Sequence, residues 1–205
     1  MVERQLRRRG VSDERVLEAM RRVPRELFVD EDDRDLAYED EPLPIGFGQT
    51  ISQPLMVALI CQEASVVPGH RVLDVGTGSG YQAAVLAELG GQIFSIELIP
   101  ELAALARTNL ERAGYADGVQ VFVGDGTLGL PEHSPFDRIA VAAAAPAFPE
   151  TLYSQLVPGG RLVVPIGSRQ DQRLEVIVAS PEGPAVALSV PCRFVPLLGA
   201  EGYRS

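Results

Sequence analysis

Residues 72–80 read VLDVGTGSG, and no other stretch constrains the fold as tightly. A short apolar run enters it. Three glycines follow at alternate positions, and YQAAVLAELG then shows the apolar spacing of a helix. Glycine permits a tight turn and close approach of backbone to a ligand, while free N–H groups at a helix start favour an anion. The stretch predicts a nucleotide-type ligand at the carboxyl end of a buried first strand.

The spacing narrows the ligand. A dinucleotide fingerprint, GxGxxG, needs glycine or alanine at its third place, and that place is Tyr81. A dehydrogenase is therefore disfavoured. The pattern is GxGxG, preceded by Asp74, and Gly76, Thr77, Gly78, Ser79 and Gly80 are the predicted cofactor-binding loop. The next apolar run, QIFSIE, ends in Glu97, whose carboxylate can accept from both hydroxyls of a ribose. A third run, VQVFVGDG, brings Asp125 and Gly126 to the same edge, where Asp125 can accept from an adenine amino group. Asp-Gly alone is ordinary turn chemistry, and its weight comes from being in register with the other two strand ends.

The rest of the chain repeats this alternation. Residues 1–29 read as helical, with Ser12, within VSDERVLEAMRRV, as a cap and Pro24 as a stop. Residues 30–41 are an acidic surface loop, and a helix is expected near 54–65. PELAALARTNLERAG is a helix ending at Gly114, FDRIAVAAAA a fourth strand, PETLYSQLVPGG a helix and RLVVPIG a fifth strand. RLEVIVAS and AVALSV add two more strands. Strands alternating with helices predict an α/β chain with a doubly wound, mostly parallel sheet, helices on both faces and an N-terminal helical extension. At 205 residues the chain is read as a single domain, with 1–65 as extension and substrate loop and 66–205 as core and C-terminal strands.

Composition excludes other classes. The formal net charge of −10 disfavours nucleic-acid partners, which need a basic face. All eighteen basic residues are arginine, so neither Schiff-base chemistry nor a Walker-type phosphate loop is available. His70 and His133 have no Cys or His neighbour at ligand spacing, so no metal site is expected. Cys61 and Cys192 read as buried free thiols. No segment has the apolar length of a membrane span, and the charged N-terminus lacks the apolar run of a signal peptide; a cytoplasmic protein away from membranes is expected.

Taken in order, LPIGFGQTISQP, VLDVGTGSGYQAAVLA, SIE, GDG, FDRIAVAAAAPAFP, LVPGGRLVVPIG and RFVPL resemble the protein-L-isoaspartate O-methyltransferases, as does the opening VERQLRRRGVSDERVLEAMRRVPRELFV. The glycine pattern is shared by many Rossmann-like S-adenosylmethionine methyltransferases, whereas GQTISQP and RFVPL are diagnostic of this family. The resemblance implies methyl transfer from S-adenosylmethionine to the free α-carboxylate of L-isoaspartyl residues in damaged proteins and peptides, with S-adenosylhomocysteine as product. A monomer is expected. One departure is visible: many members carry Thr where this chain has Ala142. A methyltransferase for small molecules or RNA, or a binding module that keeps only the cofactor pocket, would leave the match of GQTISQP and RFVPL unexplained.

GQTISQP places Thr50 and Ser52 before the helix near 54–65. A substrate carboxylate has an ordinary pKa of ~3.5–4 and is ionised at neutral pH, so no general base is needed. No adjacent base makes Ser52 a nucleophile. The family motif suggests instead that Thr50 and Ser52 are hydroxyl donors orienting substrate carboxylate or methyl donor, with Ser52 the catalytic residue and Thr50 also at the cofactor. The plain structural reading is that Ser52 is a helix cap. Arg193, in RFVPL, is either a counter-ion for the anionic substrate or a surface arginine.

Overall fold

The computed structural model of the chain describes residues 1–204. An irregular helical start (residues 2–9) turns at Gly10 and leads into α1 (Glu14–Arg22). Asp13, not Ser12, caps α1: its side chain accepts from the Arg15 and Val16 N–H groups. The helix stops at Val23 because the residue before Pro24 is driven out of the helical region. α1 buries Val16, Leu17, Ala19 and Met20, and full burial of each larger one contributes about 1.5–3 kcal/mol.

A two-stranded hairpin follows, β1 (Leu43–Pro44) against β2 (Thr50–Ile51), with GFG at its tip. Then comes α2 (Pro54–Ala64), which is apolar nearly all round and buried accordingly. The main sheet comprises β3 (Arg71–Val75), β4 (Gln92–Glu97), β5 (Val119–Val123), β6 (Phe136–Val141), β7 (Leu156–Gly167), β8 (Gln172–Ser180) and β9 (Gly183–Cys192). Between them run α3 (Tyr81–Glu88), α4 (Pro100–Ala113) and the single turn α5 (Glu150–Tyr153).

The sheet order is β5-β4-β3-β6-β7-β8-β9. The first five are parallel, and β8 and β9 close the far edge antiparallel. The chain runs outward from β3 to β5 and then returns to the other side of β3, so the crevice between β3 and β6 is the topological switch point.

Alternation along the strands divides the core. Val72, Ala140 and Val163 face α1 to α4, together with the residues of the N-terminal extension. Leu73, Val75, Ile139, Val141, Leu162 and Val164 face the other side. That side is covered by α5, short 3₁₀ turns and the C-terminal segment, so the two helical layers are unequal. PETLYSQLVPGG departs from expectation: only its first turn is helical, and LVPGG already belongs to β7. The register slips between Phe136 and Arg138, and a side chain at Gly160 would meet the Asp137 carbonyl at 3.1 Å. An irregular strand entry hides under a sequence that looks helical. Among the described residues no helix is long and apolar enough to cross a membrane.

Candidate active site

The glycine loop sits at the carboxyl end of β3. Its turn is fastened to the neighbouring strand, since the Gly76 and Thr77 N–H groups both donate to the Ile96 carbonyl. Gly78 and Gly80 have φ of 54° and 92°. A Cβ at Gly80 would stand 3.2 Å from Leu110 on α4, so this glycine sets how closely helix and loop pack. Ile45 of the hairpin lies over Gly78, which makes the hairpin the roof of the cleft.

A cleft runs along this edge, lined by Thr50, Ser52, Gly76, Thr77, Gly78, Ser79, Glu97 and Gly126. The structure therefore brings together all of the predicted site residues except Gly80, Asp125 and Arg193. Glu97 is 7% exposed and accepts the Gly78 N–H at 2.8 Å and the Ile99 N–H at 3.0 Å, one with each carboxylate oxygen. Both bonds hold the side chain in place at the cleft wall. Ser79 is fixed through its carbonyl by Asn109 Nδ2 at 3.1 Å.

Asp125 is placed differently. Its carboxylate accepts from the Thr127 N–H and hydroxyl and from the Ala200 N–H. Partial burial opposes its charge, but those hydrogen bonds outweigh burial and hold the carboxyl below its ordinary value. Asp125 thus fastens the C-terminal segment, while the next residue, Gly126, lines the cleft. Arg193 is exposed and lines a second groove with Leu55, Met56, Leu188 and Phe194. Thr50, Ser52, Ala142 and Val195 line both spaces, so they form the wall where the two meet. Ala142 presents a methyl group to that wall where a threonine would present a hydroxyl.

Ser52 is not the cap of α2. The N-cap position is Gln53, which makes no side-chain cap, and the Leu55 N–H is taken by Asp40 Oδ1 at 3.1 Å. Asp40 also accepts from Arg9 and, through its carbonyl, from Gln53 Nε2. Among the described residues no hydrogen bond engages the side-chain hydroxyl of Ser52 or Thr50, so both are available to a ligand. The Ser52 backbone is held from behind by Arg25 Nη2, 2.9 Å from its carbonyl oxygen.

Several of these contributors carry no local signal in the sequence. Arg25 and Asp40 reach the site from 27 and 15 positions away, Arg25 to Ser52 and Asp40 to Leu55. Val195, Pro196, Leu197 and Leu198 line the cleft because the Ala144 N–H and carbonyl pair with Val195 and Leu197. Gln82 also lines the cleft, and its polar side chain in the apolar stretch YQAAVLA is a signal that could have been read. Cys192 lines the second groove and is only partly buried, unlike the fully buried Cys61.

A family model described as protein-L-isoaspartate(D-aspartate) O-methyltransferase matches residues 1–202. The chain belongs to this methyltransferase family. The protein-L-isoaspartate O-methyltransferase of Hyperthermus butylicus is 54% identical over 215 residues, covering 100% of this chain and 89% of its own. A solved protein-L-isoaspartate O-methyltransferase superposes with a TM-score of 0.84 at 32% identity; 95% of this chain is matched, spanning 64% of that longer one. A Plasmodium falciparum chain of that name, solved with S-adenosyl-L-homocysteine, gives a TM-score of 0.80 at 28% identity and 94% coverage of both. The fold is that of a Rossmann-like, S-adenosylmethionine-dependent methyltransferase.

The cleft fits the family cofactor on its own evidence. The glycine loop turns through positive-φ glycines, Glu97 is a fixed carboxylate in the cleft wall, and the cleft shares the wall of Thr50 and Ser52 with the second groove. Methyl donor and methyl acceptor would enter from different sides and meet at one wall. Among the described residues no group of three or more His, Cys, Asp or Glu side chains could hold a metal ion.

Proposed function

We propose that the chain methylates the free α-carboxylate of L-isoaspartyl residues in damaged proteins and peptides, with Ser52 orienting the accepting carboxylate. The observation that carries this reading is the shared wall: two unengaged hydroxyls, Thr50 and Ser52, between a cofactor cleft and an open apolar groove. When bound, S-adenosylmethionine supplies a methyl group on a cationic sulfur, which an ionised carboxylate oxygen can take in line.

What this chain must do is position and desolvate. A carboxylate leaving water without partners is costly to bury. Ser52 Oγ, with Thr50 Oγ1, donates to it and leaves one oxygen lone pair free to react. Leu55, Met56, Leu188 and Phe194 exclude water from the groove. Arg193 on the groove wall supplies a cation for the acidic lesion. Glu97 would hold the ribose hydroxyls, the loop from Gly76 to Gly80 would receive the methionine end, and Gly126 would leave space for the adenine. No proton needs to be removed, so the absence of a histidine at this wall is consistent with the chemistry.

The reading takes proteins and peptides as partners, not nucleic acid or a membrane, and a monomer acting in the cytoplasm. The net charge of −10 supports the exclusion of nucleic acid. The deciding experiment supplies methyl-labelled S-adenosylmethionine with two peptides that differ only in one residue, L-isoaspartyl or L-aspartyl. Base-labile label, released as methanol, is expected on the isoaspartyl peptide alone. Equal label on both, or label on neither while S-adenosylhomocysteine binds, would overturn the acceptor.

A further inference from the structure

Gln82, the second residue of α3, has no place in the reading so far, yet it is 6% exposed and lines the cofactor cleft. Its amide is oriented by a buried carboxylate. Asp74 points to the α2–α3 side of the sheet and is 0% exposed. Ser95 Oγ donates to Asp74 Oδ2 at 2.6 Å, and Gln82 Nε2 donates to Asp74 Oδ1 at 2.8 Å. Thr77 Oγ1 of the glycine loop lies 2.6 Å from Ser95 Oγ, so the four side chains form one chain of hydrogen bonds beneath the loop.

An ionised carboxylate only accepts, so Gln82 must turn its NH₂ group to Asp74. That leaves Oε1 facing away, and Oε1 is a buried acceptor with no partner among the described residues. A buried acceptor left unmade is costly, and native proteins seldom keep one without a ligand, water or ion to satisfy it. Gln82 lines the cleft, so a ligand there is a natural source of the missing donor.

The polar groups of the expected cofactor are few. Its ribose hydroxyls belong at Glu97 and its adenine at the end of β5 near Gly126. Its carboxylate cannot donate. The α-ammonium of the methionine end is the remaining donor, and the negative charge of Asp74 behind the Gln82 amide favours a cation there. We propose that Gln82 Oε1 binds the α-ammonium of the cofactor, with Asp74 and Ser95 setting the amide's orientation. The site then selects adenosyl ligands that carry a free amino group, and the proposal rests on the cofactor reading above.

Calorimetry with two ligands tests it: S-adenosylhomocysteine and its desamino analogue, which keeps the carboxylate and the nucleoside. Wild type should bind the desamino compound roughly 10- to 100-fold more weakly, the weight of a charge-assisted hydrogen bond. In Gln82→Met, which keeps the length and removes the acceptor, S-adenosylhomocysteine should weaken by a similar factor while the desamino compound binds as in wild type. If both ligands weaken equally in the variant, Gln82 merely supports the loop and the proposal falls. Equal binding of the two ligands by wild type would also overturn it, and that arm needs no variant to fold. Failure of wild type to bind either ligand would instead overturn the cofactor reading itself.

Discussion

Arg25 Nη2 donates a 2.9 Å hydrogen bond to the carbonyl oxygen of Ser52, and Arg25 is 0% exposed. The same guanidinium gives its Nε–H to the Ala37 carbonyl at 2.7 Å and lies 4.8 Å from the centre of the Tyr81 ring. Its Nη1 has no partner among the described residues. Burial pushes the guanidinium pKa down, yet an arginine stays charged in such a place. A buried cation thus joins the N-terminal extension, the end of the acidic loop, the Ser52 turn and the first residue of α3.

Arg25→Lys keeps the charge and loses the fork that reaches two carbonyls at once. Turnover of isoaspartyl peptide should fall by roughly tenfold, the loss expected for a displaced hydrogen-bond donor, while KM for S-adenosylmethionine stays near wild type. Arg25→Met should cost about 3–5 kcal/mol in denaturant unfolding, because two buried carbonyls lose a charged donor. A lysine variant with wild-type kcat would show that Ser52 is placed by other contacts.

Ser52→Ala and Asp40→Ala separate catalysis from capping. Asp40, not Ser52, receives an N–H from the first turn of α2. Ser52→Ala is therefore expected to lower kcat by roughly 10- to 1,000-fold with an unchanged melting temperature. Asp40→Ala should cost about 1 kcal/mol of stability through the lost cap. Normal turnover in Ser52→Ala would leave the hydroxyl without a function.

Arg193 lines the second groove and not the cleft beside the glycine loop. Its truncation, Arg193→Ala, should raise KM for isoaspartyl peptide severalfold, in keeping with about 1 kcal/mol from one partly exposed charge contact, and change kcat little. The comparison requires steady-state kinetics at several peptide concentrations. An unaltered KM removes Arg193 from substrate recognition.

Asp74 gives a pH prediction. Burial pushes its carboxyl up to about 6 from an ordinary 3.8, hydrogen bonds from Ser95 and Gln82 pull the other way, and the Glu97 charge adds to the rise. The buried Cys61 thiol faces the same carboxylate from α2. An acid whose folded value is raised binds its proton more tightly in the native chain. Its contribution to stability is full below the unfolded value and is lost as pH rises through about 6. Asp74→Asn cannot titrate, so the difference in melting temperature between variant and wild type should change across that window and level off above it. Parallel curves from about pH 4 to about pH 7 would show that Asp74 does not titrate there.

Much of the site could be read in the sequence because local chemistry dictates it. Three alternate glycines between an apolar run and a helix can only turn at a strand end, and Gly76 to Gly80 do so. Glu97 follows an apolar strand in register with that turn. Asp125 is at the expected edge, but its partners are Thr127 and Ala200, because a segment 75 positions later folds back onto it. Ser52 looks like a cap to any local reading, since the true capping group, Asp40, lies 15 positions before the N–H it accepts. LVPGG looks like a helix end, and sheet pairing with β6 makes it strand.

The βαβ order, the glycine turn after β3 and the residue types at the carboxyl edge are legible locally, since strand, turn and helix preferences act over a few neighbouring residues. Which of those groups remain free depends on packing between distant segments. Hydrogen bonds from distant residues take Asp125 for the C-terminal segment, turn the Gln82 amide, hold Ser52 by its backbone and leave its hydroxyl open. A polar group's availability depends on who else reaches it, and that is settled only when the chain has packed.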